Sequence, residues 1–367
     1  MSGPDEHATE TAHLSEERSR SVDSIDPRRA VELLGVTLVG ILGALMIGFV
    51  ALDWLRHYPS LGTLPTTAFE QFLIAGMWAD YVLGTNVFQH PFMWRSIATG
   101  VLVGIVGPLV GTYLVHRQMA LIGETLAHTA FAGVAIGLLV IGLTGFDGSL
   151  LFVALLVSVV GALAVQWLTE RTSTFGDVPI AIMLTGSFAV GTLLISWGRG
   201  HVPVTIDIED FLFGSMAVVT ADGARMMAIL SVAVVAIVAV TYKQLLFITF
   251  DEQAARVAQL NVSGYNTLLV VMTAVVVVGA MQVLGVILVA GMLVIPVAAA
   301  SQIARSFRET LYLSILIGQI SVLGGFAFAI GSSLPSGGSI IVVAITFYLV
   351  AVATSLLAGR SAAISMH

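Results

Sequence analysis

Apolar residues run along this chain in long blocks separated by short polar connections. The blocks are too long and too continuous for the strands or one-sided helices of a water-soluble fold. Ten of them fall near 31–52, 93–115, 125–143, 149–168, 178–197, 223–242, 265–281, 283–301, 310–331 and 339–357. At about 17–23 residues each, they have the length a helix needs to cross a bilayer. The pair 265–281 and 283–301 is divided only by Gln282 and Gly285. It reads either as two spans or as one long bent helix followed by a re-entrant piece. Residues 1–29 are polar and charge-rich, and are expected to form a disordered tail. They contain no apolar core of the kind a signal peptide requires.

Composition sharpens this picture. The chain has 367 residues, of which 57% are hydrophobic and only 10% charged, and its mean hydropathy is +0.99. Soluble domains carry about 25% charged residues, so the fold class is an all-α polytopic membrane protein. There is no cysteine, which excludes disulfides, thiolate metal sites and cysteine nucleophiles. A net charge of −7 fits no nucleic-acid partner. Lys243 is the only lysine, and no phosphate-cradling G-x-x-x-x-G-K-[ST] loop surrounds it. Any ATP that drives this protein must be bound by another polypeptide.

Arginine positions set an orientation. Arg18, Arg20, Arg28 and Arg29 precede the first block, and Arg117, Arg171, Arg256, Arg305, Arg308 and Arg360 fall in alternate connections. Placing these in the cytoplasm satisfies the positive-inside rule and puts both termini inside. Arg56, Arg95, Arg199 and Arg225 then lie outside and leave the bias incomplete. Two outer segments are more than turns. The stretch FEQFLIAGMWADYVL, 69–83, has the pattern of an interfacial helix with Trp78 and Tyr81 as anchors. The stretch GRGHVPVTIDIEDFLFGSM gathers His201, Asp207, Glu209 and Asp210. These four are a candidate cation-collecting outer mouth, or else ordinary solvated loop charges. His7 and His13 in the tail read as solvated residues.

The chemistry points to one pair. His128 lies well inside an apolar block, and Glu124 precedes it by four residues. Positions i and i+4 share one helix face, so a carboxylate and an imidazole point the same way at or just inside a membrane boundary. Ionisable groups there usually face a protein interior or a water-filled path, and the two together are a common ligand set for divalent transition metals. Two plainer readings stand beside this one. Glu124 could mark a helix start, where the dipole favours an anion, and His128 could be a hydrogen-bonded structural residue.

Five motifs, in order, carry a resemblance. The run GPLVGTYLVHRQMALIGETLAHTAFAGVAIG, 107–137, is similar to the zinc/manganese permease family of ABC importers. So are DIEDFLFGSM at 207–216, DEQAARVAQLNVSGYN at 251–266, VLGVILVAGMLVIPVAAA at 283–300 and LPSGGSIIVV at 334–343. The resemblance covers about 90–365. It implies a permease domain over 90–360, a tail over 361–367, and an added N-terminal unit over 30–89 made of one transmembrane helix and an outer amphipathic segment. The implied fold is type II ABC importer permease-like, with about ten transmembrane helices.

The resemblance also implies a mechanism. Such permeases form homodimers bound to a cytoplasmic ABC ATPase dimer, and an extracellular solute-binding protein delivers Zn²⁺, Mn²⁺ or Fe²⁺. The metal is cargo, and no cofactor is permanently bound. By carry-over, Glu124 and His128 match the family's proposed metal contacts, with Glu where the family usually has Asp. Asp251, Glu252, Ala255 and Arg256 match its ATPase-coupling loop, with Gln259-Leu260 where a glycine-containing turn is usual. Pro296 fits the fourth motif as a simple kink. An importer of haem, cobalamin or a siderophore shares the span plan but has no need of an acid–His pair. A secondary transporter would show more ionisable residues in its spans. An intramembrane zinc protease would need H-E-x-x-H, which is absent.

Overall fold

The computed structural model describes residues 27–58, 63–144, 149–171, 178–198, 212–216 and 219–364. The tail ahead of Pro27 and the residues His201, Asp207, Glu209 and Asp210 lie outside the described residues. The described residues form twelve helices: α1 Pro27–Leu55, α2 Leu64–Leu83, α3 Pro91–His116, α4 Ala120–Thr144, α5 Leu150–Arg171, α6 Val178–Gly198, α7 Ala221–Phe250, α8 Glu252–Val257, α9 Val262–Leu284, α10 Val289–Ser301, α11 Phe307–Ser332 and α12 Ser336–Ile364. Nine of these are long and apolar enough to cross a membrane; α2, α8 and the 13-residue α10 are not among the nine.

Helix boundaries follow local chemistry. The side chains of Thr220, Asp251, Asn261 and Ser306 each accept a backbone N–H three residues on, opening α7, α8, α9 and α11. These are the short polar side chains that best satisfy a helix's free donors. Beside Ser306, the Glu309 side chain also accepts the N–H of Arg305, at 2.6 Å. Proline occupies the first turn of α2 and of α3, where its missing N–H costs nothing.

The centre of the bundle is α3, which packs on α1, α7, α9, α10 and α11. Its most apolar window is 89% buried, against 17% for α6 and 22% for α12, so the last two face lipid or another chain. Two glycine pairs bring α3 close to its neighbours, as small residues do in lipid. Gly100 and Gly104 meet Phe326, Val322 and Gln319 of α11; Gly107 and Gly111 meet Met292 and Leu293 of α10. A β-carbon at Gly111 would overlap the Leu293 carbonyl oxygen. Pro108 lies within α3, and its ring rests against Gly318 of α11.

The region 265–301 resolves into a full helix and a half-helix. Gly285 ends α9 with φ +78°, and α10, about 20 Å long by helical rise, starts four residues later. The break is packed rather than open. Ser336 Oγ donates to the Val283 carbonyl at 2.8 Å, and the Ile287 N–H reaches the Leu212 carbonyl at 3.3 Å. The chain at 212–216 and the start of α12 therefore cover the carbonyls that the interruption frees, which is the condition for irregular backbone at membrane depth.

The added N-terminal unit is built into the bundle. α1 buries Val39, Met46, Phe49, Val50 and Asp53 and exposes Leu33, Leu34, Leu38, Ile41 and Leu45. Phe49 lies 5.6 Å from Phe69 and 5.0 Å from Phe72 of α2, and Phe72 meets Trp94 of α3 edge-on at 4.7 Å. Asp53 is 2% exposed and accepts from Arg95 Nε at 2.8 Å and Nη2 at 3.1 Å, while Arg56 Nη2 lies 2.8 Å away. At the end of α2, Asp80 accepts from the Thr85 hydroxyl and from the N–H groups of Val87, Phe88 and Gln89, at 2.7–3.0 Å. Burial alone would raise its carboxyl; the four donors hold it down to about 2. Trp78 and Tyr81 of α2 are exposed.

Three of the four arginines that depart from the expected bias have an acid beside them: Arg56 and Arg95 share the single charge of Asp53, and Arg225 pairs with Asp222 at 3.0 Å. Arg199 lies outside the described residues.

Candidate metal path and coupling end

The first 25 residues after the α3–α4 turn set up the candidate site. Glu124 is the fifth residue of α4, and that helix has no acidic residue in its first turn. The helix dipole acts within the first turn, so it does not account for Glu124. Its side chain is exposed, while its neighbours Ile122, Gly123, Thr125, Leu126 and Ala127 are buried.

His128 is half-buried, one turn further on the same face. Its Nδ1 is buried and has no hydrogen-bond partner. The ring meets Phe188 of α6 edge-on at 4.9 Å, and Phe188 in turn stacks on Phe131 at 5.6 Å. The hydrogen-bonded structural histidine that the sequence also allowed is therefore not what Nδ1 displays. Two side-chain contacts lock α4 to α6: Thr129 Oγ1 to Ser187 Oγ at 3.1 Å, and Thr125 Oγ1 to the Ile180 carbonyl at 3.3 Å. They fix the rotation of α4 and hence the direction in which Glu124 and His128 face. Among the described residues, no group of three or more His, Asp or Glu is arranged to hold a metal. One chain places the two candidate side chains on one helix face and does not make a closed site from them.

The four coupling-loop candidates lie at the α8 end. His116, Phe250 and Phe307 form a ring cluster there, with centroids 5.0–6.3 Å apart. Asp251 opens α8 by accepting the Ala254 N–H at 2.8 Å. Ala255 is fully buried against Ile248 and Val262, with Leu260 and Tyr265 alongside. Glu252 pairs with Arg256 at 2.6 Å and with Arg117 at 3.6 Å. Of the loop's four proposed contact residues, Ala255 faces inward and Arg256 faces out, with its side chain 65% exposed. Gln259 has φ +59°; the N–H groups of Gln259 and Leu260 return to the Arg256 and Ala255 carbonyls at 3.0 and 3.1 Å. This is the left-handed closure that glycine usually provides, so the turn survives without its glycine.

Sequence reasoning counted Arg117 only as an inside charge. The structure buries its side chain to 8% exposure and joins its Nη2 to Asn266 Oδ1 at 2.7 Å. Burial pulls the guanidinium below its ordinary value, and the Glu252 carboxylate pushes back. The signal that could have singled it out was its place two residues ahead of a helix carrying an acid–His pair.

The α8 end holds a cleft of about 870 Å³ bordered by Arg117, Gln118, Glu170, Glu252 and Arg256. A second cleft of about 540 Å³ lies at the opposite end, between Phe92, Met93, Phe213, Met216 and Ser333.

Comparison with known proteins identifies the family. The model of the ABC 3 transport family matches residues 89–355. The manganese transport system membrane protein MntC of Listeria monocytogenes is 29% identical over 266 residues, covering 72% of this chain and 91% of that protein. A probable metal transport system membrane protein of Treponema pallidum is 30% identical over 267 residues, covering 73% and 97%. Among solved structures, PsaBC from Streptococcus pneumoniae in complex with Fab aligns with a TM-score of 0.64 at 27% identity, covering 74% of this chain and 94% of that one. The matched region begins at the approach to α3 and takes in every helix from α3 to α11 and most of α12, so the chain belongs to the ABC 3 transport family.

Proposed function

We propose that this chain is the permease subunit of an ATP-driven importer of a divalent transition metal ion, Mn²⁺, Zn²⁺ or Fe²⁺, which passes between two copies of the chain. The observation that carries the reading is the Glu124–His128 pair: an exposed carboxylate and a half-buried imidazole with a free buried nitrogen, on one face of α4. Two ligands per chain give four at a two-fold axis. A carrier site must release its ion, so few ligands and a site completed only between copies suit transport better than a closed cage. The poorly buried face of α6, beside His128, supplies apolar surface for such a contact.

The partners follow from the same reading. A cytoplasmic ABC ATPase dimer hydrolyses ATP and contacts α8 through Asp251, Glu252 and Arg256, with Ala255 anchoring the helix. An extracellular binding protein delivers the metal at the opposite end, where His201, Asp207, Glu209 and Asp210 would collect cations. The termini are cytoplasmic and the protein sits in the cell membrane.

The test is cellular metal content by mass spectrometry in metal-limited medium, in a deletion strain carrying either the wild type or His128→Ala. Loss of one metal, restored by wild type and not by His128→Ala, is the expected result. Normal uptake by His128→Ala would sink the site. No change in any divalent metal would instead favour import of a metal chelate.

A further inference from the structure

We infer that Arg117 is the positioning residue that links the coupling helix α8 to α4, so that movement of α8 reorients Glu124 and His128. The inference rests on the reading above, of α8 as the ATPase contact and of the pair on α4 as the metal ligands.

Three observations carry it. First, Arg117 sits on a stiff elbow. The turn between α3 and α4 is closed by the N–H of Gln118 on the Val115 carbonyl at 3.0 Å and that of Met119 on the Leu114 carbonyl at 2.8 Å. Gln118 has φ +58°, a double closure that fixes the chain direction. Arg117 caps α3, and α4 starts three residues later with Glu124 as its fifth residue. A displacement of the elbow therefore reaches Glu124 through this closed three-residue turn and about one turn of helix, with no long loop to absorb it.

Second, the Arg117 side chain joins the α3–α4 turn to both α8 and α9. Its Nη2 donates to Asn266 at the start of α9 and faces Glu252 on α8. Glu252 stands between a buried arginine and the exposed Arg256. An ATPase subunit that engages Arg256 would change how strongly Glu252 pulls on Arg117. The neighbouring ionisable groups are occupied elsewhere: Glu170 accepts from Ser263 and Gln166, each at 2.7 Å, and His116 Nδ1 lies 2.8 Å from the Thr112 carbonyl.

Third, the latch is not at its tightest. The Arg117–Glu252 separation is 3.6 Å, longer than the roughly 2.7–2.9 Å of a charge-assisted hydrogen bond. Nη1 of Arg117 is buried with no partner. Buried donors are nearly always paired, so a spare one marks an arrangement that a small shift of α8 would improve. The cleft beside α8 leaves room for that shift. A loose latch and a tight latch are two discrete states of one contact, which is what coupling between distant sites requires.

The experiment reconstitutes the permease with its ATPase subunit and binding protein in liposomes. Uptake of Mn²⁺ or Zn²⁺, each alone, is measured alongside ATP hydrolysis, and the readout is metal ions moved per ATP. Arg117→Gln should lower that ratio about fivefold or more, the lower range of typical site-to-site coupling. The charge swap of Arg117→Glu with Glu252→Arg should recover more of the ratio than either change alone. A merely structural residue would alter the amount of complex but not the ratio. An unchanged ratio in Arg117→Gln overturns the inference. If that variant does not assemble, Asn266→Ala and Glu252→Gln are combined. Both act through Arg117, so their effects on the ratio should be non-additive, and simple additivity overturns the inference. A wild-type complex that moves neither metal refutes the metal reading itself, before any variant is compared.

Discussion

Replacing Asp53 with Ala should detach the electrostatic clamp between the added α1 and the permease helix α3. The carboxylate is 2% exposed and receives two hydrogen bonds from Arg95, with Arg56 at 2.8 Å. Removing one partner of a fully buried pair costs about 3–5 kcal/mol, because the surviving charge is left unpaired. Here the arginine side chains keep 19% and 27% exposure, so both can turn partly toward water, and about 2–3 kcal/mol is the better expectation. At roughly 2 °C per kcal/mol for a chain of this size, the melting temperature should fall by about 4–6 °C. Thermal unfolding of the purified protein in lipid nanodiscs, followed by tryptophan fluorescence, reads this directly. The same substitution in an Arg95→Met background should cost less, since only the more exposed Arg56 is then left without its partner. Equal cost in both backgrounds, or a shift under about 1 °C for Asp53→Ala, would refute the clamp.

Two further outcomes follow from local geometry. Gly111→Ala should be destabilising by about 1–3 kcal/mol, because its β-carbon meets the backbone of Leu293, with the carbonyl carbon at 2.8 Å. Gly107→Ala should be neutral or mildly stabilising, because its nearest neighbour is Met292 Cγ at 3.5 Å and alanine favours helix; parallel melting curves separate the two. The pH profile tests Asp80. Its folded carboxyl titrates near 2, below the ordinary 3.8, so its stabilising effect is complete above about pH 4 and is lost as pH falls toward 2. The melting temperature of Asp80→Asn should therefore lie below wild type at pH 7, with the gap closing in acid, and a gap constant from pH 7 to pH 3 would count against the four-donor cage.

Hydropathy made the bundle legible because lipid imposes a simple rule on backbone groups, and the rule writes itself as block length. It failed to decide 265–301 for a physical reason. Residues 286–289 are Val-Ile-Leu-Val, as apolar as the helices on either side, so only Gln282 and Gly285 mark the interruption, and they fit two spans and one bent helix equally well. The break is made by Gly285 at φ +78° and by the chain at 212–216 and 336–337 closing over it, contacts that span more than 50 residues. The Asp53–Arg95 pair was missed for the same reason: its members are 42 residues apart. A trace was present nonetheless. Arginines on the outer side and an aspartate at the end of an apolar block are each costly alone, and their coincidence was a signal for pairing.

The proposed site divides along the same line. The i, i+4 spacing of Glu124 and His128 is local, and the helix that makes them neighbours needs only α4. What decides between a ligand pair and two ordinary polar residues is not local. It is the place of Glu124 beyond the first turn, the unpartnered Nδ1, and the packing of His128 on Phe188 of a different helix. Each of these removes a plainer explanation: no dipole to serve, no hydrogen bond to keep, and an aromatic edge that orients the ring without using its nitrogens. The same logic separates the two ends of the path. A permease has to hold a metal loosely and hold its coupling helix firmly. The two proposed ligands on α4 belong to no group of three or more such side chains among the described residues, whereas α8 is capped, anchored by a buried alanine and tied by two arginines. Arg117 stands where these two demands meet. It is buried like a structural residue, under-bonded like a functional one, and one closed turn and about one turn of helix from the carboxylate.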